Sequence, residues 1–394
     1  MRKEQSVRFS SLVEASCEAV SIRYNNKVYE LQRQGHDVTV LSLGEAFFDL
    51  PLFSFDLLPL EKIYHYSHSR GILELRAALA HTYAEKYQVP VDPVSEMLVT
   101  AGSKAAIHMA FMTILDRGDE VLIPEPAWVS YPEQVKLCGA RPIGVPYWID
   151  TFHLEEFVTP RTRAIVINTP HNPTGRIYSA AELEYLLELA RRRDLWILSD
   201  EAYSEFTADD SFVSLGRFDP HKKHSILFNS ISKNHGISGW RIGYVIAAPE
   251  VINRVLKINQ HLITCPPTIL CHYVARYYDR ILAITRPQIR AVVEKRRRVL
   301  QHLDALGITY LPGTATFYIF ASIAPSALGS EAFCTRLLEE RLVSVVPGIG
   351  YGASCDGFIR IGVGTTSMEK LCRGLDAIKE LIEETAALNR AQAA

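Results

Sequence analysis

Five polar residues stand in order along the chain, each just beyond a short apolar run: Asn172, Asp200, Tyr203, Lys233 and Arg241, spaced by 28, 3, 30 and 8 positions. Lys233 carries the most chemistry. It sits in SISKNHGISGWRIGY (230–244), among small, apolar and glycine residues. Such surroundings strip water from an ammonium and lower its pKa, which a lysine needs in order to form a Schiff base. The competing reading is a solvated lysine near a solvated arginine, the usual state of both types. Asp200 follows the run LWIL in LSDEAYSEF (198–206). A carboxylate there can hold a positive charge, or it can simply cap the next helix.

Two turns add to the pattern. INTPHNPTG (167–175) ends an apolar run in a polar turn, at the edge where open α/β sheets bind ligands, although a plain turn reads the same way. In TAGSKAAIHMA (100–110) a Gly-Ser turn opens a helix. The unpaired N–H groups of a helix start suit a phosphate, and they also occur in every ordinary strand-to-helix connection.

These residues need a frame to bring them together. Apolar residues recur at helical spacing over 72–87, 103–115, 180–192 and 367–388. Short β-rich runs lie between them at 97–100, 120–123, 164–168, 195–199, 226–229 and 243–247. Alternation of this kind predicts a mostly parallel α/β sheet whose inner strands are buried on both faces. A long helix is predicted over 272–306. Strands at 317–321, 342–346 and 358–362 with a helix at 331–341 then form a smaller α+β lobe. At 394 residues two lobes are expected, divided as 46–285 against 1–45 with 286–394.

Composition excludes several classes. A formal net charge of -2 steers the chain to neither nucleic acid nor a membrane surface. The seven cysteines (17, 138, 265, 271, 334, 355, 372) form no C-x-x-C pair, so neither a metal site nor a disulfide framework is expected. The first sixteen residues lack the apolar stretch of a signal peptide, and no run is long enough to span a bilayer. A cytoplasmic protein is the expectation.

Taken together, the ordered set resembles the class I and II aminotransferases of the aspartate aminotransferase type. The resemblance covers nearly the whole chain. It runs through GILELRAALA (71–80), GDEVLIPEPAWVSYPE (118–133), NPTG (172–175), SDEAY (199–203), SISK with GWRIGY (230–244), VVPG (345–348) and FIRIGVG (358–364). It implies a fold type I enzyme, with a three-layer large domain around a pyridoxal 5'-phosphate (PLP) site and a smaller α+β domain. Lys233 matches the Schiff-base lysine, and Asp200 the carboxylate that pairs with the pyridine nitrogen. Tyr203 and Asn172 match donors to the phenolic oxygen, and Trp128 the aromatic on the ring face. Gly102, Ser103 and Lys104, with Ser230, Ser232 and Arg241, match the phosphate cradle. Tyr66 matches a tyrosine that reaches the neighbouring subunit's phosphate, which implies a homodimer with shared sites. Arg360 matches the clamp on the substrate α-carboxylate. Gly44 matches the glycine that admits substrate close to the backbone.

The implied reaction is ping-pong transfer of an amino group between an L-amino acid and a 2-oxo acid. The alternative on the same fold is a PLP-dependent lyase or an oxygen-using amino-acid oxidase. A binding protein that has lost activity and a nucleotide-binding reductase are weaker rivals, because the cofactor residues are intact and G-x-G-x-x-G is missing. Three positions depart from the family pattern: Arg23 with Tyr24 in SIRYNNK (21–27), Arg70 before Gly71, and His235 near Lys233. Arg23 or Arg70 is expected to meet the distal group of a polar or dicarboxylic substrate. The segment GEAFFDLP (44–51) also lacks a proline after its glutamate.

Overall fold

The structure is a computed structural model that describes residues 8–209 and 211–393, without the side chains of 388–393. Residues 1–7 of the expected small-domain arm lie outside the described residues. Strand β1 (Thr39–Val40) comes first. Then follow β2 (Met97–Thr100), β3 (Glu120–Pro124), β4 (Arg141–Val145), β5 (Thr162–Asn168), β6 (Trp196–Asp200), β7 (Ser225–Ser230) and β8 (Gly243–Ile246). The C-terminal part adds β9 (Tyr318–Ser322), β10 (Val343–Ser344), β11 (Val346–Pro347) and β12 (Phe358–Gly362).

Seven strands form one sheet in the order β2-β8-β7-β6-β5-β3-β4. Only β8 runs against its neighbours; the others are parallel. Helices cover both faces, which is why the inner strands read as unbroken apolar runs. Ile165 and Ile167 of β5 face Leu183, Leu186 and Leu75 of helices Ala180–Arg193 and Leu73–Tyr87. Ala164 and Val166 face the other way, toward Ala106, Ile107 and Val251 of helices Ser103–Ile114 and Pro249–Leu262. Successive side chains of a strand point to opposite faces, so both packings come from one run. Truncating a fully buried leucine such as Leu186 would cost about 2–5 kcal/mol. Helix Ala180–Arg193 starts in a capping box between Ser179 and Glu182 and ends at Asp194 in left-handed geometry, φ 52°.

The expected elements are present, with shifts of a few residues at their ends. Strand β4 escapes sequence reading because RPIGV contains proline and glycine; it survives as the sheet's edge. The expected strand 342–346 is corrected to two. Strand β10 pairs in parallel with β1, while β11 joins the antiparallel sheet β11-β12-β9. An apolar run buried throughout gives no sign that its two halves bond different partners. Pairing with β1 also ties residues 39–40 to the C-terminal lobe. Helix Thr268–Ala305 leads from the seven-stranded sheet to β9 of the three-stranded one and breaks helical geometry at Tyr277.

Arg296 on that helix joins both parts directly. Its guanidinium donates to the carbonyls of Thr174 (2.9 Å), Gly313 (2.7 Å) and Tyr318 (2.6 Å). Burial lowers its pKa to about 10, and three carbonyl dipoles stand where a carboxylate would otherwise be needed.

Candidate active site

Strands β5, β6 and β7 all end on one edge of the large sheet, where the helix Ser103–Ile114 also begins. A cavity of about 460 Å³ opens there. Asn172, Asp200 and Tyr203 enter it from the ends of β5 and β6. Ser230 enters from the last position of β7, Ser232, Lys233 and Arg241 from beyond it, and Ser103 and Lys104 from the helix start. Gly44, Trp128 and Arg360 also line it, Arg360 from the smaller sheet. Lys104, Lys233, Arg241 and Arg360 bring four cations against two carboxylates, Glu45 and Asp200. A cavity so charged calls for an anionic occupant.

Lys233 Nζ donates to the Gly44 carbonyl at 2.5 Å. Burial pushes its pKa down to about 8; Glu45 opposes that shift, and Arg360, Arg241 and Lys104 reinforce it. Asp200 accepts from the Tyr131 hydroxyl at 2.7 Å and from the Ala202 N–H at 3.2 Å. Burial nevertheless raises it to about 6, the two hydrogen bonds pulling the other way. Asn168 braces the neighbourhood: its amide donates to the Asp200 carbonyl (2.7 Å), and its oxygen accepts the Asn172 N–H (2.6 Å).

The phosphate-like end is built from backbone. Gly102 takes φ 85°, and a Cβ there would collide with the Arg241 guanidinium. A Cβ on Gly243 would strike the Ser103 nitrogen, so glycine at both positions keeps the helix start close to β8. Ser230 Oγ accepts from the Ser232 N–H at 3.1 Å. At the other end, Arg360 donates to Asn172 Oδ1 (3.3 Å) and to the Ser42 carbonyl (2.7 Å), with its guanidinium 4.4 Å from the Tyr318 ring centre. Among the described residues, two buried polar atoms of this wall have no hydrogen-bond partner, Ser232 Oγ and Arg360 Nε. The oxygens of a bound anion would satisfy both.

The sequence model of aminotransferase class I and II matches residues 38–378. The chain belongs to the class I and II aminotransferases. Aromatic-amino-acid aminotransferase 2 of Thermococcus litoralis is 32% identical over 370 residues, covering 91% of this chain and 95% of that one. The probable aspartate/prephenate aminotransferase of Aquifex aeolicus is 35% identical, covering 98% and 100%. Among solved structures, aspartate aminotransferase from Thermus thermophilus with maleate superposes with a TM-score of 0.86 at 32% identity, over 95% of this chain and all of that one. This aminotransferase is thus an α/β fold type I enzyme that uses PLP to move an amino group between amino and oxo acids. The unpartnered Ser232 hydroxyl, the glycine-lined helix start and the desolvated Lys233 fit that cofactor.

Some expected residues of the aminotransferase lie away from the cavity. Arg23 forms an ion pair with Glu331. Arg70 donates to the Val94 carbonyl (3.0 Å) and to Asn253. Neither side chain lines the cavity of this chain, although Ser21, Ile22 and Asn25 beside Arg23 do. Tyr66 is 87% exposed and also stands outside it. His235 is buried with its ring 4.9 Å from that of Tyr278, not in the cavity wall, and burial lowers its pKa to about 4. Sequence reasoning missed Tyr131, Tyr318 and Glu45. Tyr131 was within reach, lying three residues after Trp128 and so on the same side of a helical turn. Nothing local marks Tyr318.

Proposed function

We propose that this aminotransferase takes an acidic L-amino acid as donor and a 2-oxo acid as acceptor, with Lys233 as nucleophile and proton carrier. The observation that carries this reading is the excess of cations in one cavity, of which Arg360 and Lys104 suit two separate carboxylates. Bound PLP supplies an aldehyde for the lysine to capture and a ring that withdraws electrons from the substrate Cα. With a pKa near 8, Lys233 is partly unprotonated at neutral pH; it can attack a carbonyl carbon and later lift and return the α proton. Asp200 holds a positive charge at the ring nitrogen, and Tyr203 and Asn172 donate to the phenolic oxygen. Trp128 covers the ring face. The phosphate falls to the N–H groups of Gly102, Ser103 and Lys104, the hydroxyls of Ser230 and Ser232, and Arg241.

Arg360 clamps the α-carboxylate, its paired donors matching two oxygens, while Gly44 lets the substrate pass close to the backbone. That leaves the Lys104 ammonium, 5.0 Å from the Trp128 ring centre, half-desolvated and repelled by Arg241. A distal carboxylate of aspartate or glutamate would satisfy it. Relatives named aspartate aminotransferases favour the same donor class.

We further propose a homodimer with Tyr66 facing the partner's site. Its support is the exposure of Leu52, Leu57, Tyr64 and Tyr66, a run of large side chains that a monomer rarely leaves in water. Seven free cysteines favour the cytoplasm. We propose the division into 46–285 and 1–45 with 286–394, supported by the separation of the seven-stranded sheet from β11-β12-β9 and by the pairing of β1 with β10. Adding aspartate alone to the PLP-loaded protein tests the reaction: the visible absorbance should convert to that of the pyridoxamine form, and oxoglutarate should restore it. Release of ammonia and pyruvate, or uptake of oxygen, would instead indicate elimination or oxidation.

A further inference from the structure

Tyr318 stands between the two halves of the site. It is 1% exposed, on β9, and its backbone carbonyl is held by Arg296. Its hydroxyl lies 3.0 Å from that of Tyr203, and its ring lies under the Arg360 guanidinium at 4.4 Å. A Cβ added to Gly44 would sit 3.2 Å from the same hydroxyl, so Tyr318 also borders the carbonyl that Lys233 bonds. No other hydrogen-bond partner is found for either phenol oxygen among the described residues. We propose that Tyr318 is a positioning residue that couples the substrate clamp to the cofactor contact, its hydroxyl aiming the Tyr203 proton and its ring seating Arg360.

Two phenols share one mutual hydrogen bond and therefore keep one proton for something else. Either oxygen can donate while the cavity holds no anion. When an anionic oxygen faces Tyr203, the Tyr203 proton turns to it, and Tyr318 must become the donor within the pair. A phenol that accepts a hydrogen bond donates more strongly in turn, because bonds in a buried chain polarise one another. The ring does separate work: a buried cation over an aromatic face is held in direction as well as by energy. One residue thus sets both the donor to the cofactor's oxygen and the angle of the carboxylate clamp. The inference rests on the roles proposed above for Tyr203 and Arg360.

Two variants separate the functions. Tyr318→Phe keeps the ring and loses the proton; Tyr318→Leu loses both. For Tyr318→Phe, the pH midpoint of the visible absorbance of the PLP-loaded protein should rise by about half to one unit, since losing one hydrogen bond weakens Tyr203 as a donor to the anionic oxygen. Its kcat should fall about three- to tenfold, with KM for the amino acid within about twofold. For Tyr318→Leu, KM should rise by a further fivefold or more as Arg360 loses its seat. Thermal melting and PLP titration of each variant identify a protein that has failed to fold, and the near-isosteric Tyr318→Phe decides the matter by itself. A wild-type midpoint in Tyr318→Phe overturns the proposal, and so does an equal KM in the two variants. If the wild-type protein does not respond to amino acid at all, the functional reading fails instead, and the two failures are distinguishable.

Discussion

Tyr131 donates its hydroxyl to Asp200 Oδ2 at 2.7 Å, at the buried end of β6. This bond and the Ala202 N–H hold down a carboxylate that burial lifts to about 6. A cation beside it would offset that desolvation. Asp200 is protonated in the folded and unfolded states below its ordinary value of 3.8 and ionised in both above about 6, so the folded state loses stability as pH rises between them.

Cofactor-free Asp200→Asn should accordingly be more stable than the parent protein above pH 6, by at most about 3 kcal/mol, with the difference vanishing near pH 4. Thermal melts across that range check this. The same variant should bind PLP more weakly. A variant less stable than the parent at pH 7.5 would contradict the assignment.

Lys233 titrates near 8 because burial disfavours its charge. Capture of PLP by the cofactor-free protein should speed up as pH rises through about 8, where the amine loses its proton, and level off beyond. Stopped-flow absorbance measures it. Lys233→Ala should show no such phase at any pH.

Lys104 and Arg23 make opposite predictions about substrate. Lys104→Met should raise KM for aspartate about tenfold or more while leaving an apolar amino acid within about twofold, the loss expected for one charge-assisted hydrogen bond. Arg23→Ala should leave both unchanged, since its charge is spent on Glu331 at the surface. Equal losses for both donors in Lys104→Met would remove it from substrate recognition.

Arg296→Met leaves the carbonyls of Thr174, Gly313 and Tyr318 without their donor. Urea unfolding should show a loss of about 2–4 kcal/mol. Arg296→Lys should recover only part of it, because an ammonium cannot reproduce the planar fork. Equal stability of Arg296→Met and parent would show that the three contacts contribute nothing.

Light scattering should give a mass of twice 44.3 kDa for the protein in solution. Mixing Tyr66→Ala with Lys233→Ala chains after joint refolding should yield more activity than either alone, since a hybrid dimer rebuilds one intact shared site. A monomer in solution, or no gain on mixing, would exclude shared sites.

The chain's local patterns determined a large part of this. Apolar runs and helical periodicity disclosed the strand and helix order of the main sheet, because both signals lie within a dozen neighbouring residues. Lys233, Asp200 and Asn172 were legible for a related reason: each follows directly on a strand of a parallel sheet, and strand ends in such sheets share one edge. What no local pattern could decide is which distant residues meet. Arg360 and Asn172 are 188 positions apart, Tyr203 and Tyr318 are 115, and Arg23 finds Glu331 across 308. Those pairings decided that Arg23 is held by Glu331 at the surface and that Tyr318 meets Tyr203 beside Arg360. They depend on how one lobe packs on the other, an interaction summed over many residues, and only the folded chain carries it out.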